Sequence, residues 1–169
     1  MMFYKELELD EIHNSNVKKR IAVRAVILQG NEILLVQSNL GDYKFPGGGV
    51  DEEETLEAAL VREITEETGY VGAEVKEKVG VVLERTNDEY VPDTTFEMTS
   101  HYYLCDLTGE KGLQQLDGYE LEQEYTPKWV SLNDAIVQNK KILEKDGHRW
   151  ITRENFVLEF FQHFYKAKM

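Results

Sequence analysis

One cysteine, Cys105, stands in a chain of 169 residues. An internal disulfide and a zinc cage built on thiolates are both excluded. No Pro- or Ser-rich linker and no internal repeat interrupts the chain, so one domain spanning residues 1–169 is expected. No apolar run approaches the length that spans a bilayer. Met1 to Glu11 is charged and lacks the apolar core of a signal peptide. Positive charge is scarce: Lys plus Arg is 19 against 32 Asp plus Glu, a net charge of −13. Such a chain repels nucleic acid and anionic membranes unless its cations are gathered in one place. If the substrate is anionic, local positive charge must be supplied, and bound divalent cations supply it economically. The expectation is a soluble cytoplasmic protein with a small-molecule partner, no DNA and no membrane, and a homodimer is compatible with it.

What is present is an ordinary apolar fraction of 41%, enough for a full core. Residues 1–19 are polar and hard to assign to an element. Ile21 to Leu28 alternates and is β-branched, which predicts a strand. Gln29-Gly30-Asn31-Glu32 predicts a tight turn into a second strand, Ile33 to Gln37. Phe45-Pro46-Gly47-Gly48-Gly49 cannot be helical. Thr55 to Thr68 lacks Pro and Gly, and Leu56, Leu60 and Ile64 recur at helical spacing, with Gly69 placed to end the helix. Val71 to Arg85 and Thr94 to Leu104 predict two longer strands, and Trp129-Val130 a short one. Ser131 and Asp134 read as a capping box opening a second helix. A last helix after Thr152 carries Phe156, Phe160 and Phe164 along one face. A helix inserted among strands, with helices at the end, predicts an α/β domain with a mixed sheet.

Chemistry concentrates in Gly48 to Tyr70, which reads GGVDEEETLEAALVREITEETGY. Glu63, Glu66 and Glu67 are i,i+3 and i,i+4 neighbours, about 5–6 Å apart at Cβ. Three such carboxylates repel one another unless cations sit among them, and oxygen-only ligands favour Mg²⁺ or Mn²⁺. Arg62 lies four residues before Glu66 and can hold it by a charge-assisted bond. An acidic run at a helix start, here Asp51 to Glu54, is explained by the macrodipole alone. The Glu63, Glu66, Glu67 set differs, because it shares an arc of the helix with Leu56 and Ala59. A face that is apolar in one turn and acidic in the next borders a polar cleft rather than solvent.

These residues resemble the Nudix box, G-x5-E-x7-R-E-U-x-E-E-x-G-U with U a bulky aliphatic; only Tyr70, an aromatic, departs from it. The flanks agree, with Phe-Pro-Gly-Gly before the box and a Trp-Val strand and capped helix after it. The resemblance implies an α/β/α sandwich with a mixed central sheet. It implies that Glu63, Glu66 and Glu67, with the Gly48 carbonyl, bind Mg²⁺ or Mn²⁺, that Arg62 orients the carboxylates, and that Glu54 supports the helix start and the water around the metal. The reaction implied is hydrolysis of a diphosphate in a nucleoside diphosphate derivative, either a nucleoside triphosphate or a nucleotide sugar. The base is then Glu63 or an acid outside the box; of Glu120, Glu122 and Glu124, Glu124 is the one favoured. Arg85, Phe96, His101, Tyr103, Trp129 and the His148-Arg149-Trp150 run are candidates for a base or sugar site. The family's mark for many ADP-ribose hydrolases, a proline, is absent where Arg85 and Thr86 stand. A diadenosine polyphosphate mark, a tyrosine, is absent where Asn87 and Asp88 stand, and the coenzyme A motif is missing too. The alternatives are a non-catalytic nucleotide-binding domain of this type and an RNA pyrophosphohydrolase; the intact carboxylate set opposes the first and the charge of −13 the second.

Overall fold

In a computed structural model that describes residues 1–168, the chain forms nine strands and four helices. Strands β1 (Phe3–Glu8), β7 (Glu74–Asn87), β8 (Thr94–Asp106), β2 (Asn16–Val26) and β6 (Gly47–Gly49) lie side by side in that order. β1 runs parallel to β7 and β2 parallel to β8, while β7/β8 and β2/β6 are antiparallel. The expected mixed sheet is therefore observed. A second sheet joins β3 (Leu28–Gln29), β4 (Glu32–Gln37) and β5 (Tyr43–Lys44), with β9 (Thr126–Ser131) on the other edge of β4.

Strand alternation puts helices on both faces. Val23, Ala25 and Leu34 pack with Ala59, Leu60 and Ile64 of helix α1 (Leu56–Thr68). Val26, Ile33 and Leu35 face the other way, against Ala135 and Ile136 of α3 (Leu132–Asp146) and Val157, Leu158 and Phe161 of α4 (Trp150–Lys168). Successive side chains leave a strand on opposite sides, so one buried strand feeds both cores. The result is the α/β/α sandwich.

The limits of α1 follow from its ends. Thr55 accepts the Ala58 N–H, and Gly69, at φ 82°, closes the helix in the left-handed conformation. Elsewhere the structure departs from the sequence pattern. Residues 1–19, which are hard to assign from sequence, supply β1 and the start of β2; their backbone pairs while most of their side chains stay exposed. Ser131 accepts the Asp134 N–H as half of the expected box. A short helix, α2 (Gly118–Glu122), lies in a stretch without apolar periodicity and buries no residue. No helix among the described residues is long and apolar enough to cross a membrane.

Candidate active site

The second half of α1 carries its acids on the buried stripe. Ala59, Leu60, Glu63, Ile64 and Glu67 are all buried. Glu63 and Glu67 therefore point where the preceding turns point, toward β2 and β6. The Gly-rich strand lets them in. A Cβ on Gly48 would stand 2.6 Å from a Glu63 carboxylate oxygen, closer than any side chain tolerates. Gly47 N–H donates to Glu67 at 3.3 Å.

Arg62 organises the neighbouring charges. It donates to both oxygens of Glu54 at 2.7 and 2.8 Å, to Glu63 at 2.9 Å, to Glu66 at 3.2 Å and to the Gly49 carbonyl at 3.3 Å. These five bonds match the five N–H donors of a guanidinium. Glu66 is one-third exposed and turned to Arg62.

The third carboxylate at the centre comes from α2. Oxygens of Glu63, Glu67 and Glu120 all lie within 4.8 Å of one another. α2 sits within a strap, residues 114–124, and Asp117 and Glu120 cap it reciprocally, which fixes the Glu120 side chain. That strap is tied to α1, since Gln115 N–H donates to the Glu66 carbonyl and Gln114 Nε2 to the Glu67 carbonyl. The structure thus brings Glu120 to the cluster. It leaves Glu124, favoured on sequence grounds, exposed on the turn that ends the strap, at φ 51°. Helical residues four apart share a face, and α2 ends before Glu124, so the two acids diverge.

Electrostatics separate the carboxylates. The Arg62 hydrogen bond, with the Asp51 N–H, holds Glu54 down at about 2. Burial pushes Glu63 up, and Arg62 opposes it. Burial pushes Glu67 well up, helped by Glu63 and Glu120 and opposed by the Gly47 N–H and Arg24. A nearly enclosed carboxylate with one backbone donor, beside two more acids, is a poor arrangement for a protein alone. An all-oxygen set of this charge fits a hard divalent cation, which would convert the repulsion into coordination.

A cavity of about 430 Å³ opens onto the cluster, lined by Glu67, Glu120, Gly47 and Gly48 together with Arg24, Lys44 and several rings. Of the residues expected to line a base or sugar site, Phe96 and Trp150 reach it. Arg85 pairs with Glu97, and Tyr103 packs in the α1 core. Trp129 donates to Tyr70 Oη, so the aromatic departure at Tyr70 is a packing and hydrogen-bonding feature. His101 stands half-buried on β8 and lines neither the cavity nor the cluster. Lys44 and Tyr125, unflagged by any motif, are buried in the cavity wall.

A model of the NUDIX domain matches residues 18–153. A Bacillus subtilis (strain 168) protein named "Putative 8-oxo-dGTP diphosphatase" is 36% identical over 120 residues, 69% of this chain and 70% of that one. An ADP-ribose pyrophosphatase from Methanocaldococcus jannaschii is 43% identical over 65 residues, 36% of this chain and 38% of that protein. Among solved structures, a NUDIX hydrolase from Nitrosomonas europaea shares the fold, with TM-score 0.57 and 20% identity over 73% of this chain and 79% of the other. A family match across most of the chain, on a sandwich that brings Glu63 and Glu67 of the box together beside a cleft, leaves one assignment: the chain belongs to the Nudix hydrolase family.

Proposed function

We propose that this protein is a metal-dependent pyrophosphohydrolase that cleaves the diphosphate of a nucleoside triphosphate or nucleotide sugar, with Glu63 and Glu67 as principal holders of Mg²⁺ or Mn²⁺. The observation that carries the reading is the meeting of Glu63, Glu67 and Glu120 within 4.8 Å at the cavity. Bound divalent metal supplies activation of water and neutralisation of charge on the leaving phosphate. The Gly48 carbonyl and Glu66 are secondary candidates for the same ions.

The chain's own groups have separable tasks. Arg62 fixes the orientation of Glu54, Glu63 and Glu66 through four of its five bonds. Glu120 is the half-buried member of the cluster and lines the cavity that water enters, whereas Glu63 is engaged by Arg62. Glu120 is therefore assigned as proton acceptor. Water attacks one phosphorus, its proton passes to a Glu120 oxygen, and the bond to the bridging oxygen breaks with its electron pair leaving on the second phosphate. The products are a nucleoside monophosphate and either pyrophosphate or a sugar phosphate.

The experiment is a panel of nucleoside triphosphates and nucleotide sugars with Mg²⁺, with products identified by phosphorus NMR, repeated after chelation. Hydrolysis at a diphosphate, lost with chelator and restored by Mg²⁺ or Mn²⁺, is the expected result. Turnover that survives exhaustive chelation, or none on any member of the panel, overturns the reading.

A further inference from the structure

Three contiguous cavities meet at Phe96: the one of about 430 Å³ at the acid cluster and two more of about 290 and 330 Å³ along β2, β8 and the start of α4. Their walls gather six cations of a chain whose net charge is −13. Three are neutralised by the protein. Arg153 pairs with Glu84 and Glu154, Arg149 with Asp10, and Lys18 with Asp88. Arg20, Arg24 and Lys44 have no carboxylate partner among the described residues, although acids outnumber cations 32 to 19.

Lys44 and Arg24 are the telling pair. Lys44 is 9% exposed. Its ammonium donates to Tyr125 Oη at 2.8 Å, and its other contacts, to Gln123 Oε1 and Tyr119 Oη, are long at 3.4 and 3.5 Å. The rings of Trp150, Tyr125 and Tyr119 lie 4.9, 5.0 and 5.6 Å from it. Arg24, paired across the sheet with Gly47, has a buried Nε with no hydrogen-bond partner, and its Nη2 reaches only Met98 Sδ at 4.0 Å. A buried cation without an anion is costly, and a ligand that supplies the anion recovers that cost. The aromatic walls do not offer a stacking slot here. Trp150 is already engaged by Lys44 and by His148, stacked at 4.4 Å, and Tyr119 meets Tyr125 edge to face. Phe96, by contrast, has no ring partner among the described residues and is half-buried where the three cavities join.

Resting on the pyrophosphohydrolase reading, we propose that Lys44 and Arg24 are specificity-determining residues that receive a phosphoryl group beyond the two joined at the scissile bond, so that the substrate is a nucleoside triphosphate with its base on Phe96. A nucleotide sugar places a neutral ring at this end and leaves both cations unpaired. A triphosphate places there the oxygens that they lack, in charge-assisted bonds.

The test uses inorganic tripolyphosphate as probe, in chelator, so that neither metal nor turnover enters. Calorimetry on the full chain should show binding that weakens as salt rises. Lys44→Gln and Arg24→Gln should each weaken it about ten-fold, the loss of one charge-assisted bond. Lys44→Arg should bind within about three-fold of wild type, and Lys128→Met, a substitution outside the cleft, should change nothing. If Lys44→Gln does not fold, the salt dependence and Arg24→Gln decide. In turnover, Lys44→Gln should raise KM for a triphosphate about ten-fold. Absence of tripolyphosphate binding by the wild type, or binding by both Gln variants as tight as that of the wild type, overturns the assignment even if hydrolysis stands. Hydrolysis can conversely fail while tripolyphosphate binding stands, which separates this assignment from the catalytic one.

Discussion

Arg62 grips Glu54 through both carboxylate oxygens, at 2.7 and 2.8 Å, and so ties the loop before α1 to the middle of the helix. The same guanidinium reaches Glu63 and Glu66 on its other side. One planar fork thus sets the geometry of three acids.

Arg62→Lys keeps the charge but cannot make this pattern, because an ammonium has three donors and no fork. We expect kcat and apparent Mg²⁺ affinity to fall about 10–100-fold, the usual cost of losing a group that orients ligands. Circular dichroism should remain that of the wild type. A variant with wild-type kcat and Mg²⁺ dependence would show that the network is not needed for catalysis.

Glu120 and Glu124 are separated by one helical turn of sequence and by their placement. Glu120→Gln should lower kcat by about 10²–10⁴-fold, with no recovery in excess Mg²⁺. Glu124→Gln should leave it unchanged. Glu63→Gln is the control for the box: if it alone abolishes turnover without metal rescue, Glu63 is the proton acceptor and Glu120 is not.

Glu67 is buried at 3% exposure with two acids beside it. Glu67→Gln removes that repulsion and should raise Tm in chelator, by about 2–4 °C for each kcal/mol recovered. The same variant should lose Mg²⁺ affinity and most of its kcat, with partial recovery at high Mg²⁺. Calorimetry of both proteins with and without metal reads the two effects; a lower Tm in chelator would contradict the unpaired burial.

The pH dependence follows from the signs of the shifts. Burial raises Glu67 well above the ordinary carboxylate value of about 4.5, so the metal-free native state keeps a proton that the unfolded chain has lost. That contribution is full below about 4.5 and is lost as pH rises through the folded value. Glu54, lowered to about 2, behaves oppositely: its contribution is present above 4.5 and is lost as pH falls toward 2. Without metal, Tm of the wild type should therefore fall more steeply than that of Glu67→Gln as pH rises from about 5 to 8. Metal binding should release protons over the same range, because the ligands must be ionised. Parallel Tm curves for the two proteins would refute the raised pKa.

Much of α1 is legible because its information is local. Leu56, Leu60 and Ile64 at helical spacing, Thr55 before them and Gly69 after them give its span. The same period places Glu63 and Glu67 on the buried stripe, so two acids of the cluster and the role of Arg62 can be read without coordinates. The hydrogen bond that Tyr70 accepts from Trp129 has no counterpart in the local pattern, because the two residues lie far apart in the chain.

The third acid has no such signal. Asp117 and Glu120 have the spacing of a capping box, which marks a helix start. Nothing local says that this helix lands against α1, because the bonds that bring it there join Gln114 and Gln115 to the carbonyls ending α1. Lys44 is likewise an ordinary lysine until Tyr119, Tyr125 and Trp150 arrive from separate segments. The sequence alone determines the helix, its acidic face and the family, since periodicity and spacing act between neighbours a turn apart. Which outside acid joins the cluster, and which cations stand unpaired beside it, is decided by tertiary packing, because those contacts depend on where distant segments are anchored.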